Sequence, residues 1–368
     1  MIHDFDPVLW HIYGDIGIRW YGLSYILGFI AAYFVIGWLG DRQKAGLTHE
    51  MVSDLITYLA LGTIIGGRLG YVFFYSPELL TKFKPEIPYW GVLAVNEGGM
   101  ASHGGMIGIV VACWLFVRKS GINFTYLLDL CAVGGPLGVF FGRIANFING
   151  ELVGRPAPAD LPWAVKFPTD LYLWPRRMPE QLESLSTVVD KINLDLLKKD
   201  STVDALSVDI NPTQWLDSVH HMRNDVMANQ HVLSTLDVII KQIQHGNTAL
   251  RDALGPLLIA RHPSQLYAAV LEGLLLFLIL FFLWRKPRRP GFIAGCFLIF
   301  YAIFRISDEY FRMPDDHLGF QMLGLTRGQW LSIAMLILGV IFSFVWARSN
   351  AFVVQGWGRI QSIKIGRK

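Results

Sequence analysis

The chain has 368 residues, of which 53% are hydrophobic and 17% charged, with a formal net charge of +3; its mean hydropathy is +0.40. Ordinary soluble domains carry about 25% charged residues, so these values describe a polytopic membrane protein. A balance this close to neutral, with no long basic block, excludes a nucleic-acid binder. Cys113, Cys131 and Cys296 all lie in apolar runs without metal-ligand spacing, which argues against a disulfide framework. Residues 1–18 contain Asp4, Asp6 and Asp15 but no Lys or Arg, so no cleavable signal peptide is expected.

A helix needs about 20 apolar residues to cross a bilayer. Spans are expected at 19–40, 52–75, 103–117, 124–147, 263–284, 291–311 and 327–347, the third being short and opening in a glycine-rich segment. The loops alternate in charge. Arg42 and Lys44, Arg118 and Lys119, Arg285 to Arg289, and the tail with Arg348, Arg359, Lys364, Arg367 and Lys368 share one side. The opposite side has only Lys82 and Lys84 in 76–100 and neither Lys nor Arg in 1–18 or 313–325. The positive-inside rule then puts the N-terminus outside and the C-terminus inside. The fold class expected is an all-α membrane protein with seven transmembrane helices.

Two outside segments are more than turns. Pro77, Pro85, Pro88 and Trp90 within 76–100 suggest a short element along the membrane interface. From about 178 to 250 the composition turns polar. Leu182, Leu185, Val188, Val189 and Ile192, then Val226, Val232, Leu233, Leu236 and Ile240, recur at helical spacing. The domain expectation is thus spans one to four with outer arm elements in 1–177, an inserted helical domain in 178–255, spans five to seven in 256–350 and a basic tail in 351–368. The insertion carries His220, His221, His231 and His245. Adjacent histidines do not share a helix face, so solvated side chains are expected there and no metal.

The residues that stand out are polar groups inside apolar runs. An arginine there costs about 2.5–3.5 kcal/mol on insertion scales. Arg143 and Asn146 stand three apart on one helix face, with Asn149, Glu151 and Gly154 just beyond. Tyr301, Arg305 and Glu309 follow at i, i+4 and i+8 on one face. Counting residues along alternating spans puts these in the outer half, together with Tyr25, Arg68, His103, Arg261, His262 and Gln265. Each also has a plainer reading: Arg261 and Arg312 as snorkelling side chains, Arg68 after Gly66-Gly67 as an interhelical ion pair, Glu272 as a partner for an arginine, Asp129 as a structural group near the inner end, and His103 as an interface histidine.

Buried arginines at headgroup depth suit a phosphate, whose oxygens match the guanidinium fork. An arginine pair can also stabilise a departing phosphate in a low-dielectric site. His103, flanked by glycines, is placed to act as a general base. No serine sits in a nucleophile elbow, so the nucleophile would come from a substrate.

The motifs WYGLSY (20–25), GGRLGYVFFY (66–75), HGGMIG (103–108), GRIANFINGELVGRP (142–156), RHPSQLYAA (261–269) and YAIFRISDEYFRMPD (301–315) together resemble the prolipoprotein diacylglyceryl transferase family across nearly the whole membrane part of the chain. The resemblance implies transfer of a diacylglyceryl group from phosphatidylglycerol to the lipobox cysteine thiol of a preprolipoprotein, releasing glycerol phosphate. It implies no cofactor or metal, and it implies a bacterial inner membrane with the site facing the periplasm. By motif position it assigns His103, Arg143, Arg305 and Glu151 to catalysis. Arg143, Asn146, Gly154, Tyr25, Arg68, Tyr301, Arg305 and Glu309 fall to phosphatidylglycerol binding. The base would be His103 or a carboxylate. Three departures stand out: 178–255 looks longer than the usual loop, Val153 replaces an aromatic, and Ser307-Asp308 replaces an apolar pair. The alternative readings are a transporter, which needs polar residues through both leaflets, and a non-catalytic phospholipid- or lipoprotein-binding protein.

Overall fold

A computed structural model describes residues 1–13, 16–44, 46–85, 88–94, 99–158, 160–195, 207–313, 322–348 and 352–358, without the side chains of Tyr13, Ile16, Ser102, His103, Met322, Ala347 and Arg348. In chain order it contains β1 (Val8–Tyr13), β2 (Ile16–Arg19), α1 (Trp20–Gln43), α2 (His49–Phe74), α3 (Ser102–Ser120) and α4 (Phe124–Ile148). After these come β3 (Val165–Lys166), α5 (Pro212–His221), α6 (Val226–Gln244), α7 (Thr248–Leu254) and β4 (Ala260–Arg261). Helix α8 covers Ser264–Leu283, and α9 (Phe292–Glu309) and α10 (Arg327–Arg348) complete the chain.

Among the described residues, α1, α2, α4, α8 and Arg327–Trp346 of α10 are long and apolar enough to cross a membrane. The protein is therefore a multi-pass membrane protein. The other two expected spans are helices as well, α3 with 19 residues and α9 with 18. In α9 the polar end that makes the helix interesting, Arg305, Asp308 and Glu309, also dilutes its apolar character.

The chain divides into two compact units, Met1–Tyr25, Phe140–Leu271 and Arg305–Gln329 in the first, and Ile26–Val139, Glu272–Phe304 and Trp330–Lys368 in the second. The second is the more apolar. Its core gathers Ile36, Leu39, Leu55, Phe116, Leu127, Leu280 and Trp284. Helices α2 and α3 touch backbone to backbone. A Cβ on Gly108 would stand 1.9 Å from the carbonyl oxygen of Gly62, and one on Gly104 2.2 Å from that of Gly66. Small residues give this approach where no hydrophobic force drives helices together in lipid. Buried Asp129 accepts hydrogen bonds from the Gly291 and Ala294 amides at 2.8 and 2.7 Å, satisfying donors at the start of α9.

The first unit holds the two small sheets and the polar segment. Strands β1 and β2 pair antiparallel, as do β3 and β4, so the all-α expectation gains two small sheets. The sequence signal for the first was present: β-favouring Val8, Trp10 and Ile12 precede a Gly-Asp dipeptide, a hairpin signature. The polar segment packs around Trp174, Leu182, Leu185, Trp215, Leu236 and Ile239. Asn211, Asp225 and Asn247 cap α5, α6 and α7, each side chain accepting an orphan amide of the first turn. The stretch with Leu182, Leu185 and Val188 forms 3₁₀ turns over Pro179–Thr187 instead of an α-helix. A three-residue repeat puts its side chains on one line only at three residues per turn. In α6 the core face is Val232, Leu236 and Ile240, whereas Val226 and Leu233 are 81% and 45% exposed.

Helix α8 contains a π-helical segment, Ala269–Leu275, with fully buried Glu272 in it. Such segments inside α-helices occur often at functional sites.

Candidate active site

The first unit builds its site on the strap that follows α4. The Glu151 amide returns to the Asn146 carbonyl at 3.0 Å. Leu152 then takes φ +54°, a left-handed conformation that strains a side-chain-bearing residue by about 1–2 kcal/mol. Beyond it, residues 153–157 run between two neighbours. The Arg155 amide donates to Phe311 at 2.7 Å and Met313 donates to Val153 at 3.3 Å, while His262 donates to Arg155 at 3.0 Å and Ala157 to Ala260 at 2.8 Å. Gly154 lies in the tightest part. A Cβ there would sit 2.1 Å from the His262 carbonyl oxygen and 2.9 Å from that of Phe311, so only glycine fits.

Two arginines lock the strap. The Arg155 Nε donates to the Arg312 carbonyl at 3.0 Å and its Nη2 to the Glu309 carbonyl at 3.3 Å. Arg261, 1% exposed, pairs through Nε with Asp170 and donates through Nη1 to the Gly154 carbonyl at 3.1 Å. It does not snorkel; it is a structural ion pair. Burial pushes the Asp170 carboxyl up, and the Arg261 guanidinium pulls it back.

On this scaffold stands a first polar group. The Tyr21 hydroxyl, from the opening turn of α1, donates to Glu151 Oε2 at 2.6 Å and accepts from Asn146 Nδ2. Gln265 Nε2 and Ser264 Oγ fix the backbone of the same stretch, donating to the Glu151 and Leu152 carbonyls at 2.5 and 3.0 Å. Glu151 thus keeps a defined place although the residue as a whole is exposed. Arg143 is half-buried on α4, one turn before Asn146.

A second group lies at the end of α9. Arg305 Nη1 is 2.8 Å from Glu309 Oε2 and 3.3 Å from Asp308 Oδ2, so the acid that departs from the family pattern joins this cluster. Thr326 Oγ1 donates to Glu309 Oε1 at 2.7 Å, and Thr326 exchanges bonds with Gln329 at 3.0 and 3.3 Å. Gly328 keeps the space beside the cluster. A Cβ there would be 3.2 Å from Arg305 Nη2 and 3.3 Å from either Glu309 carboxylate oxygen.

The first unit therefore brings together Asn146 and Glu151, and separately Arg305 and Glu309. Tyr25 does not join them: it is 52% exposed, and Tyr21, one turn earlier in the same WYGLSY motif, makes the contacts. Nothing local distinguishes the two tyrosines; only a partner on a distant segment does. Thr326 was missed for the same reason. Arg68 and Tyr301 belong to the second unit. There Arg68 donates to the carbonyls of Val92 at 2.7 Å, Gly91 at 2.7 Å and Gly99 at 3.0 Å. Tyr301 stacks on Phe297 with ring centroids 5.6 Å apart. His103 has its backbone in the first turn of α3, and its side chain lies outside the described residues.

The fold and these two polar groups define a multi-pass membrane protein that carries carboxylates, a tyrosine and arginines at its helix ends. The chain belongs to the prolipoprotein diacylglyceryl transferase family, whose model matches residues 7–345. It is 58% identical over 368 residues to the phosphatidylglycerol–prolipoprotein diacylglyceryl transferase of Bdellovibrio bacteriovorus, a match covering all of both chains and so the 178–255 segment as well. The like-named proteins of Neisseria gonorrhoeae and Rhodospirillum rubrum are 39% and 36% identical, over 92% and 95% of this chain and 95% and 96% of theirs.

Proposed function

We propose that this enzyme transfers the sn-1,2-diacylglyceryl group of phosphatidylglycerol to the lipobox cysteine thiol of preprolipoproteins, in the bacterial inner membrane. The observation that carries this reading is the full-length similarity to transferases of that name, joined to a site of the matching chemistry. In the reaction the cysteine sulfur attacks the glyceryl carbon that bears the phosphate ester. The C–S bond forms as the C–O bond breaks, its electron pair leaves with glycerol phosphate, and the thiol proton passes to a base.

Each demand of this step has a candidate in the chain. A free thiol has a pKa of about 8.5, so a base or a positive field must raise the thiolate fraction. His103 and Glu151 are the candidates for the base. Glu151 is already held by Tyr21, and that hydroxyl–carboxylate bond is a route for a proton. Arg143 and Arg305 are the candidates to hold the phosphate and to stabilise the charge it gains on leaving. A guanidinium can exchange a carboxylate partner for a phosphate because the fork accepts both in the same geometry. Asn146 and Tyr21 would orient the headgroup, and Glu309, fixed by Thr326, would set the position of Arg305.

The seven-span topology with the N-terminus outside rests on the loop charges and on α3 and α9 being helices in register with the expected spans. It gives the site a periplasmic aspect, where lipobox cysteines emerge. The division into membrane helices, an inserted periplasmic helical domain over 178–255 and a basic tail goes with it.

Purified protein incubated with phosphatidylglycerol vesicles and a lipobox peptide should yield diacylglyceryl-peptide and glycerol phosphate in equal amounts. Failure to form either, with a family enzyme active in parallel, would leave only the phospholipid-binding reading.

A further inference from the structure

We propose that Asp6, His11 and His245 form a binding site for a divalent transition-metal ion, apart from the transfer site. All three belong to the first unit. Asp6 precedes β1, His11 lies on β1, and His245 caps the C-terminal end of α6. Their ligand atoms all lie within 4.8 Å of one another. His11 Nε2 is 2.9 Å and His245 Nε2 3.8 Å from the same carboxylate oxygen, Asp6 Oδ2. Zinc holds such ligands at about 2.1 Å, which in a tetrahedron separates them by about 3.4 Å; the two distances bracket that value. The arrangement is also oriented. Asp6 Oδ1 accepts the Val8 amide at 2.7 Å, which turns Oδ2 toward both imidazoles.

The donor set selects the ion. Two imidazoles and one carboxylate suit borderline metals such as zinc. Calcium takes six to eight oxygens and magnesium a nearly all-oxygen octahedron. The His side chains are 41% and 40% exposed and that of Asp6 27%, so the ion enters from solvent and water completes its shell. The adjacent histidines of this unit are arranged otherwise: His220 faces Glu183 and His221 faces Asp217, each as a single pair. A bound ion would tie the N-terminal hairpin to the end of α6.

The test uses the full-length protein in detergent, stripped with chelator and titrated with Zn²⁺ by calorimetry, with Co²⁺ absorption reporting coordination. One equivalent is expected to bind the parent chain and to raise its thermal midpoint, since an ion that binds only the folded state stabilises it. His11→Ala, His245→Ala and Asp6→Asn should each weaken binding about tenfold or more, as loss of even a supporting group does at metal sites. The double variant His220→Ala/His221→Ala should bind as the parent does. Diacylglyceryl transfer should persist in every variant. Absence of one-equivalent binding, or affinity left unchanged in any of the three single variants, overturns the site.

Discussion

Arg68 in the second unit and Arg305 in the first are both withdrawn from solvent, yet different chemistry satisfies them. Arg68 donates to the backbone carbonyls of residues 91, 92 and 99. Arg305 faces the carboxylates of Asp308 and Glu309. A carbonyl clamp fixes the backbone of the 3₁₀ turn Gly91–Leu93 and of Gly99. A carboxylate pair balances the charge and leaves the guanidinium able to take another anion in the same geometry. The first arrangement suits architecture, the second exchange. The motif resemblance assigns both arginines to the headgroup site, and the contrast in their contacts makes that assignment testable for each.

The sharpest way to test the exchange side is Arg143→Ala. Loss of transfer by about a thousandfold, the scale of removing a preorganised charge donor, is expected with an unchanged yield of folded protein. Near-full activity would take Arg143 out of the site. Gly154→Ala should act on folding instead. Its methyl meets the His262 carbonyl, and a loss of about 3 kcal/mol is expected for overpacking of this kind; a parent-like thermal midpoint would contradict the close approach. Arg68→Ala breaks the comparison most directly. Unclamping three carbonyls should lower stability by about 2–3 kcal/mol while each folded molecule keeps its turnover within about threefold. Full stability with abolished turnover would move Arg68 to the substrate.

Smaller effects sharpen the contrast between neighbours. Tyr21→Phe removes a hydroxyl bound to a carboxylate, a bond of about 1.5–3 kcal/mol, and should slow transfer about 10- to 100-fold, whereas Tyr25→Phe should change it by less than about twofold. Equal effects would put both tyrosines in the site. The smallest is a pH effect at His3, whose Nε2 is 2.6 Å from the Phe147 carbonyl. Burial lowers its pKa below the ordinary 6.5, with the Phe147 carbonyl and Asp4 opposing. Protonation therefore favours the unfolded chain. The stability is complete above about pH 6.5 and is lost as the pH falls through the depressed value. His3→Gln should flatten the decline of the thermal midpoint between about pH 7 and pH 5; an unchanged slope would assign that decline to other groups.

Much of the helical frame was legible because a bilayer demands long apolar runs, and apolar runs are a property of consecutive residues. The spans expected at 124–147 and 327–347 appear as Phe124–Ile148 and Arg327–Arg348. The positions of Arg143, Asn146 and Glu151 in one stretch, and of Arg305 and Glu309 on one face, follow from helical periodicity alone. The β1–β2 hairpin was not read although its alternation and Gly-Asp pair are local; the 3₁₀ turns over Pro179–Thr187 and the strap at 153–157 were not read, since such elements take their shape from what they pack against.

What the tertiary structure alone decided was partnership. It chose Tyr21 over Tyr25 for Glu151, gave Arg261 to Asp170, and gave Glu309 the hydroxyl of Thr326. It also set His245 beside His11 and Asp6. Local sequence carries the period of a helix and the cost of a charge in lipid. Which residue answers that charge depends on distances between segments far apart in the chain, and those exist only once it has folded.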